Sequence, residues 1–260
     1  MNFNNWQWIG FQNYVNIFTK DTLFWKALWT TVKLLLMSLP ITVVLGLLMA
    51  QFMFSIKKGR QLFQTLNFFP YITTPVAIGI IFSFLFDQNV GIVNQLLVNL
   101  HLIPQNINWL GSAKNAPFVV AILCIWKNYG YFMVLYLSGL SAIDPSLFEA
   151  AAVDGSNAVH TFFHITLPQL RPINVFILVN STIGGLQMFD EPNLLYSATS
   201  SAGALVGGPE RSVLTSVWYF FDSTFRNTSR LGYGSAIAFS LFLIICGVSV
   251  VNVIITRKKG

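Results

Sequence analysis

Three residues of one apolar segment are spaced for hydrogen bonding. Asn180, Gly184 and Gln187 recur at i, i+4 and i+7 and so share one helical face. Two amides around a glycine form an uncharged notch, which suits a neutral polyhydroxylated ligand better than an ion. The same pattern serves equally as packing glue, the glycine allowing close approach while the amides bridge helices. A second group, Trp126, Lys127, Asn128, Tyr129 and Tyr131, clusters in another apolar segment. There Lys127 either reaches a ligand or snorkels to the outer interface. His160 and His164 have the i, i+4 spacing of a zinc pair, but no HExxH accompanies them and the two cysteines, Cys124 and Cys246, are remote. Two ordinary surface histidines are the expected reading, with no metal. No G-x-x-x-x-G-K-[ST] run can cradle a nucleotide, and no Ser/His/Asp or paired-carboxylate spacing occurs. The expectation is a chain with no catalytic residues and no cofactor, and not an enzyme on its own.

The elements that hold these residues are set by composition. Hydrophobic residues make up 54% and charged residues 9% of the 260, with mean hydropathy +0.63. Such a balance excludes an ordinary soluble domain and indicates an integral membrane protein. The expected fold class is an all-α membrane protein with about five transmembrane helices: Ala27 to Phe54, Leu66 to Phe86, Pro117 to Leu140, Ile173 to Phe189 and Gly234 to Ile255. Pro40 is a candidate kink in the first, and Pro70 and Pro75 break the early part of the second. Residues 1–26 carry Phe3, Trp6, Trp8, Ile9, Phe11, Tyr14, Val15 and Phe18 without the build of a signal peptide. They read as an interfacial, external segment lying on the bilayer, the alternative being a disordered tail. The net charge of +6 is then a matter of location, and no basic patch interleaved with exposed aromatics points to nucleic acid.

Basic clusters next to span ends set the orientation. Lys57, Lys58 and Arg60 follow the first span and Arg257, Lys258 and Lys259 the last, which places both in the cytoplasm. The opposite loops hold Lys20, Lys26, Lys114, Arg211, Arg226 and Arg230, together with Asp21, Asp87, Asp190, Glu191, Glu210 and Asp222. Five alternating spans then put residues 144–168 in the cytoplasm and residues 190–232 outside.

Residues 144–168, DPSLFEAAAVDGSNAVHTFFHITLP, are built like a pair of short surface helices. Asp144 suits a helix N-cap and Pro145 the first helical position, where no N–H is needed. Leu147, Ala150 and Ala151 share a face, and Asp154-Gly155 ends the helix, since glycine accepts a left-handed backbone. Ser156 is the expected cap of a second helix to about Thr166, with Pro168 closing the unit.

This stretch resembles the EAA signature, EAA-x3-G-x9-I-x-LP, of binding-protein-dependent ABC importer permeases, through Glu149-Ala150-Ala151, Gly155, Ile165, Leu167 and Pro168. Further pieces in order along the chain look like the maltose/glycerol-3-phosphate, or sugar-importer, branch: Gly10 to Tyr14, Phe69-Pro70, Gly91 with Asn94, Trp109-Leu110, Trp126-Lys127, Gly207-Gly208-Pro209 and Gly232 to Ala236. The chain departs from that pattern in the polar stretch Ser197 to Val206 and in Ser156, where relatives often place alanine. Relatives also usually carry another helix ahead of the equivalent of Trp8 to Tyr14.

The resemblance implies a transmembrane domain over 27–260 in a bacterial-type inner membrane. In such proteins the EAA loop docks into a cleft of an ATPase subunit, which would make Glu149, Ala150, Ala151, Asp154, Gly155, Ile165, Leu167 and Pro168 the coupling residues. Implied partners are a second homologous permease, two ATPase subunits, an extracytoplasmic substrate-binding protein and membrane lipid. Positions similar to Trp126, Lys127, Asn128, Tyr131, Asn180, Gly184 and Gln187 line the sugar site, where aromatic faces stack on sugar C–H faces. A sugar is the expected cargo. Other imported solutes, such as phosphate, an amino acid or glycerol-3-phosphate, are the alternative, although an anion would want fixed cations that the last two spans lack. An ATP-independent transporter or channel, or a membrane scaffold, is the rival class. A proton relay would need intramembrane carboxylates, and the five spans contain no Asp or Glu.

Overall fold

Asp21 decides where the first long helix begins. In the computed structural model, which describes residues 7–56, 58–199, 206–226 and 230–257, its Oδ1 accepts the N–H groups of Leu23 (3.0 Å) and Phe24 (2.9 Å). This cap starts α2 (Thr22–Ser55) five residues ahead of the expected span, and α2 runs unbroken through Pro40. Its 34 residues reach about 50 Å, more than a bilayer core requires. Ahead of it stands α1 (Gln12–Thr19). After it come α3 (Arg60–Ile72), α4 (Pro75–Leu85), α5 (Ile92–Asn99) and α6 (Ala116–Ser141).

The second half holds α7 (Pro145–Val153), α8 (Ala158–Thr161), α9 (Leu167–Gln169) and α10 (Arg171–Leu186). Then follow α11 (Asp190–Thr199), α12 (Ser216–Phe221) and α13 (Leu231–Arg257). No strand occurs among the described residues. Three helices, α2, α6 and α13, are long and apolar enough to cross a membrane, and the number becomes five if each of two bent helix pairs counts as one span. One pair is α3 with α4, bent by 92°; the other joins Ala158–Gln169 to α10, bent by 63°.

The first bent pair has the break expected at Pro75 but none at Pro70, and it begins at Arg60 rather than Leu66. Pro70 lies inside α3, and the break falls at Thr73–Thr74, immediately before Pro75. The reason is local: a proline ring pushes the preceding residue out of the helical region, and Thr74 is extended (ψ 133°). Residues 190–232, expected as an external loop, contain α11, α12 and a 3₁₀ turn at Pro209–Arg211. Phe3, Trp6, Lys57, Lys258, Lys259 and most of the Ser197 to Val206 stretch lie outside the described residues, as does the side chain of Arg257.

The chain divides into two units. The first comprises Met1–Met37, Thr74–Leu123 and Thr182–Asn252. One of its cores joins Ile17 of α1 and Phe24 of α2 to Ala236, Ile237 and Leu241 of α13. In the same unit α4 meets α11 at Gly79, where an added Cβ would stand 2.9 Å from the Leu194 carbonyl. Asn94, which is buried, knots the α4–α6 connection. Its Oδ1 accepts from Ile107 N (3.1 Å) and Trp109 Nε1 (2.9 Å), and its Nδ2 donates to the carbonyls of Gln88 (3.1 Å) and Ile107 (2.9 Å). The Gly91, Asn94 and Trp109 pieces of the sequence pattern therefore have a structural cause.

The second unit comprises Ser38–Thr73, Cys124–Ser181 and Val253–Gly260. Its core gathers Ala50 and Met53 of α2, Met133, Tyr136 and Leu140 of α6, Leu170, and Ile177 of α10. The Tyr136 hydroxyl donates to Asn174 Oδ1 at 2.6 Å, which satisfies the polar end of a fully buried ring. Backbones approach closely at Gly130, where a Cβ would lie 1.9 Å from the Asn67 carbonyl oxygen of α3. Small residues at helix contacts are what membrane bundles use to pack.

Candidate coupling loop and amide face

The loop after α6 folds as its residues dictate. Asp144 is extended (φ −62°, ψ 123°) and its carboxylate accepts the Ser146 N–H at 2.9 Å, which caps α7 with Pro145 in its first turn. That hydrogen bond holds the Asp144 carboxyl below its ordinary range. At the other end Gly155 has φ +76°. Its N–H donates to the Ala152 carbonyl (3.2 Å) and the Ser156 N–H to the Ala151 carbonyl (2.9 Å), the paired bonds of a Schellman ending. Nothing in this chain would meet a Cβ on Gly155 within 4 Å, so within the chain the need for glycine there is conformational.

The second helix differs from expectation in two respects. Asn157, not Ser156, is its cap: Asn157 Oδ1 accepts the His160 N–H at 2.8 Å. Ser156 is committed to the preceding Schellman turn, and its Oγ sits 3.0 Å from Thr161 Oγ1. Nor does Pro168 close the unit. The chain widens into a π-helical turn at Phe162–Thr166 and continues as α9 through Pro168 to Gln169. Pro168 forfeits one helical N–H without ending the helix, since a chain can widen or kink around a proline rather than stop at it. The real stop is Leu170, wholly buried, after which α10 sets off in a new direction.

Anchoring and exposure divide the loop. Ala151, Thr166 and Leu170 are buried and Phe148 packs on the second unit's core. Glu149, Ala150, Asp154, Gly155 and Pro168 are exposed, and Ile165 and Leu167 half-buried. Around them stand bare apolar side chains, with Val153 87%, Val159 67% and Phe163 57% exposed. This half of the loop is thus an exposed apolar knob with a carboxylate, Glu149, beside it. His160 and His164 stack at 3.8 Å, and His164 Nδ1–H donates to the His160 carbonyl at 3.0 Å.

Asn180, Gly184 and Gln187 do share one face. Asn180 and Gly184 lie on α10, and Gln187 follows it by one residue, its N–H still donating to the Ile183 carbonyl (3.2 Å). All three are exposed, and a Cβ on Gly184 would meet nothing within 4 Å. Within this chain the face is open and the glycine is not a close-packing device.

Members of the α6 cluster are engaged within the chain. Asn128 Nδ2 donates to the Cys124 carbonyl of its own helix (2.8 Å). Trp126 is exposed, and Lys127 half-buried. Tyr131 stacks on Tyr71 of α3, with centroids 4.5 Å apart and planes 9° from parallel, and the Tyr129 hydroxyl donates to Asn67 Oδ1 at 3.0 Å. Among the described residues no hydrogen bond or ring contact joins Asn180 to Asn128 or Tyr131. Sequence reasoning missed Tyr71 and Asn67, whose partners lie some sixty residues on and leave no local signal.

Apolar spans joined by an exposed helix–turn–helix are those of a helical integral membrane protein. The chain belongs to the family described as "Binding-protein-dependent transport system inner membrane component", which matches residues 42–259. It is 32% identical over 240 residues to the lactose transport system permease protein LacF of Rhizobium radiobacter, covering 92% of this chain and 78% of that one. To the arabinooligosaccharides transport system permease protein AraP of Bacillus subtilis it is 32% identical over 246 residues, covering 94% and 74%. Its fold is that of a chain in the crystal structure of a bacterial ABC transporter involved in the import of the acidic polysaccharide alginate, with TM-score 0.84 at 22% identity over 96% of this chain and 84% of that one. It is thus an inner-membrane permease of the ABC importer class.

Proposed function

We propose that the chain lines the pathway of an ATP-driven importer that carries a sugar or oligosaccharide into the cytoplasm. The open, uncharged Asn180–Gly184–Gln187 face carries the reading: it offers amide donors and acceptors with no fixed charge, the chemistry of hydroxyl recognition. The carbohydrate names of the relatives agree with it. Stacked Tyr131 and Tyr71 add an aromatic surface suited to the C–H face of a sugar ring. ATP would be hydrolysed on separate subunits, docked on the knob around Glu149, Ala150, Ala151, Asp154 and Gly155, with Ile165, Leu167 and Pro168 holding its second half. A second permease would complete the pathway and an external binding protein would deliver the cargo. Nucleotide-driven closure then biases which way a two-state pair of permeases faces.

Uptake of two sugars of different size tests the assignment. Each neutral hydrogen bond contributes about 0.5–1.5 kcal/mol, so Asn180→Ala and Gln187→Ala should each weaken uptake several-fold. Gly184→Leu should do more and change the preference between the two sugars, because it fills an open notch. If all three variants lose assembled complex in proportion to uptake, the face is a helix-packing surface and the assignment fails.

A further inference from the structure

We propose that a cleft beside α1, in the first unit, binds the phosphate of an anionic phospholipid headgroup, whatever solute the importer carries. The cleft has a volume of about 620 Å³. Lys20 and Arg230 line it, with the amides of Asn13 and Asn16 and the rings of Tyr219 and Tyr233. Among the described residues neither cation has an ion-pair partner. The carboxylate nearest in sequence, Asp21, is fully engaged. Its Oδ1 caps α2 as above, and its Oδ2 accepts the hydroxyls of Tyr219 (2.5 Å) and Tyr233. Four neutral donors fill the acceptor sites of this carboxylate, so Asp21 shapes the wall without pairing to Lys20 or Arg230, and with two cations against one carboxylate the cleft stays net positive. Burial, and then Asp21, push the Tyr219 phenol up to about 12, so it remains a donor at neutral pH.

The occupant follows from the two faces of α1. Asn13, Asn16 and Lys20, at i, i+3 and i+7, line the cleft. Phe11, Val15 and Phe18 form the other stripe and are exposed, as is Trp8 just ahead of the helix, with Trp8 88% and Phe11 80% exposed. Ile17, wholly buried, pins the helix to the core between the stripes. The exposed stripe continues into Trp25 and Trp29 of α2. Trp and Phe at such density mark the membrane–water boundary. A cationic, amide-lined cleft beside that boundary, on the outer face by the expected topology, meets phosphate at the depth where headgroups lie, while the aromatic stripe meets the acyl chains.

The test uses the full chain purified with its co-purifying subunits and placed in nanodiscs of phosphatidylcholine with or without phosphatidylglycerol. Lipid retained after exchange is measured by mass spectrometry, for wild type, Lys20→Gln, Arg230→Gln, the double variant and the control Lys114→Gln. Wild type and control should retain phosphatidylglycerol over phosphatidylcholine, each cleft substitution should lower that preference about five-fold, and the double variant should abolish it. Melting in pure phosphatidylcholine should be unchanged. The proposal is overturned if wild type shows no preference, or if the preference survives in the double variant. It is overturned equally if inorganic phosphate displaces the lipid or protects the wild type as well as phosphatidylglycerol does, which would make this a free-anion site. Loss of binding-protein-stimulated ATP hydrolysis in the double variant, with lipid retention intact, would assign the cleft to a protein partner and also overturn it.

Discussion

Replacing Gly155 isolates the backbone's share of the coupling loop from every other contribution. With φ at +76° and no atom of this chain within 4 Å of a Cβ, a side chain there costs conformational energy and nothing in packing within the chain. The left-handed region costs a non-glycine residue roughly 1–2 kcal/mol. Gly155→Ala should therefore lower the population of the Schellman turn by about 5- to 30-fold. Gly155→Val should be worse, since branching at Cβ makes positive φ less accessible. Gly155→Asn should recover most of the loss, because asparagine tolerates this region. The direct readout is hydrogen exchange at the Gly155 and Ser156 amides, which donate to Ala152 and Ala151. The functional readout is uptake by the assembled transporter, which should fall in the same order, glycine, asparagine, alanine, valine. If alanine exchanges and transports like glycine, or asparagine is no better than valine, the turn is not what holds the loop.

Four further outcomes follow, three from particular contacts and one from the expected orientation. Asn157→Ala should destabilise the second helix of the loop by about 1 kcal/mol, as loss of a cap does, while Ser156→Ala should change its exchange rates little. Gly130→Ala forces α6 off α3, because its Cβ would fall 1.9 Å from a backbone oxygen that no rotamer can move. A cost of about 1–3 kcal/mol or more is expected, read as lower yield and melting temperature of the purified protein. Asn94→Ala strands the Ile107 N–H and the Trp109 indole N–H, and each part-buried donor left unsatisfied costs about 1 kcal/mol, the low end of the range for buried groups, measured the same way. A single cysteine at Lys58, in a background lacking Cys124 and Cys246, should resist an impermeant thiol reagent on intact cells, whereas one at Glu210 should react; the reverse would invert the topology.

What the sequence determined by itself lies within a few residues along the chain. Asp144 as cap, Pro145 in the first turn, Gly155 in the left-handed region and the shared face of Asn180, Gly184 and Gln187 each depend on neighbours one to seven positions away. The apolar runs of α2, α6 and α13 were equally plain, since a bilayer core demands length and composition that few other environments do. Even the local reading failed where two local signals competed, as at Ser156, whose Oγ pairs with Thr161 Oγ1, leaving the cap to Asn157. Only the tertiary structure decided which distant groups meet: Tyr131 on Tyr71, Gly130 against Asn67, and Asp21 between Tyr219 and Tyr233. Such pairs carry no periodicity. They arise because folded helices must bury rings and satisfy polar groups with whatever the packing brings alongside, and that partner is chosen by the fold as a whole.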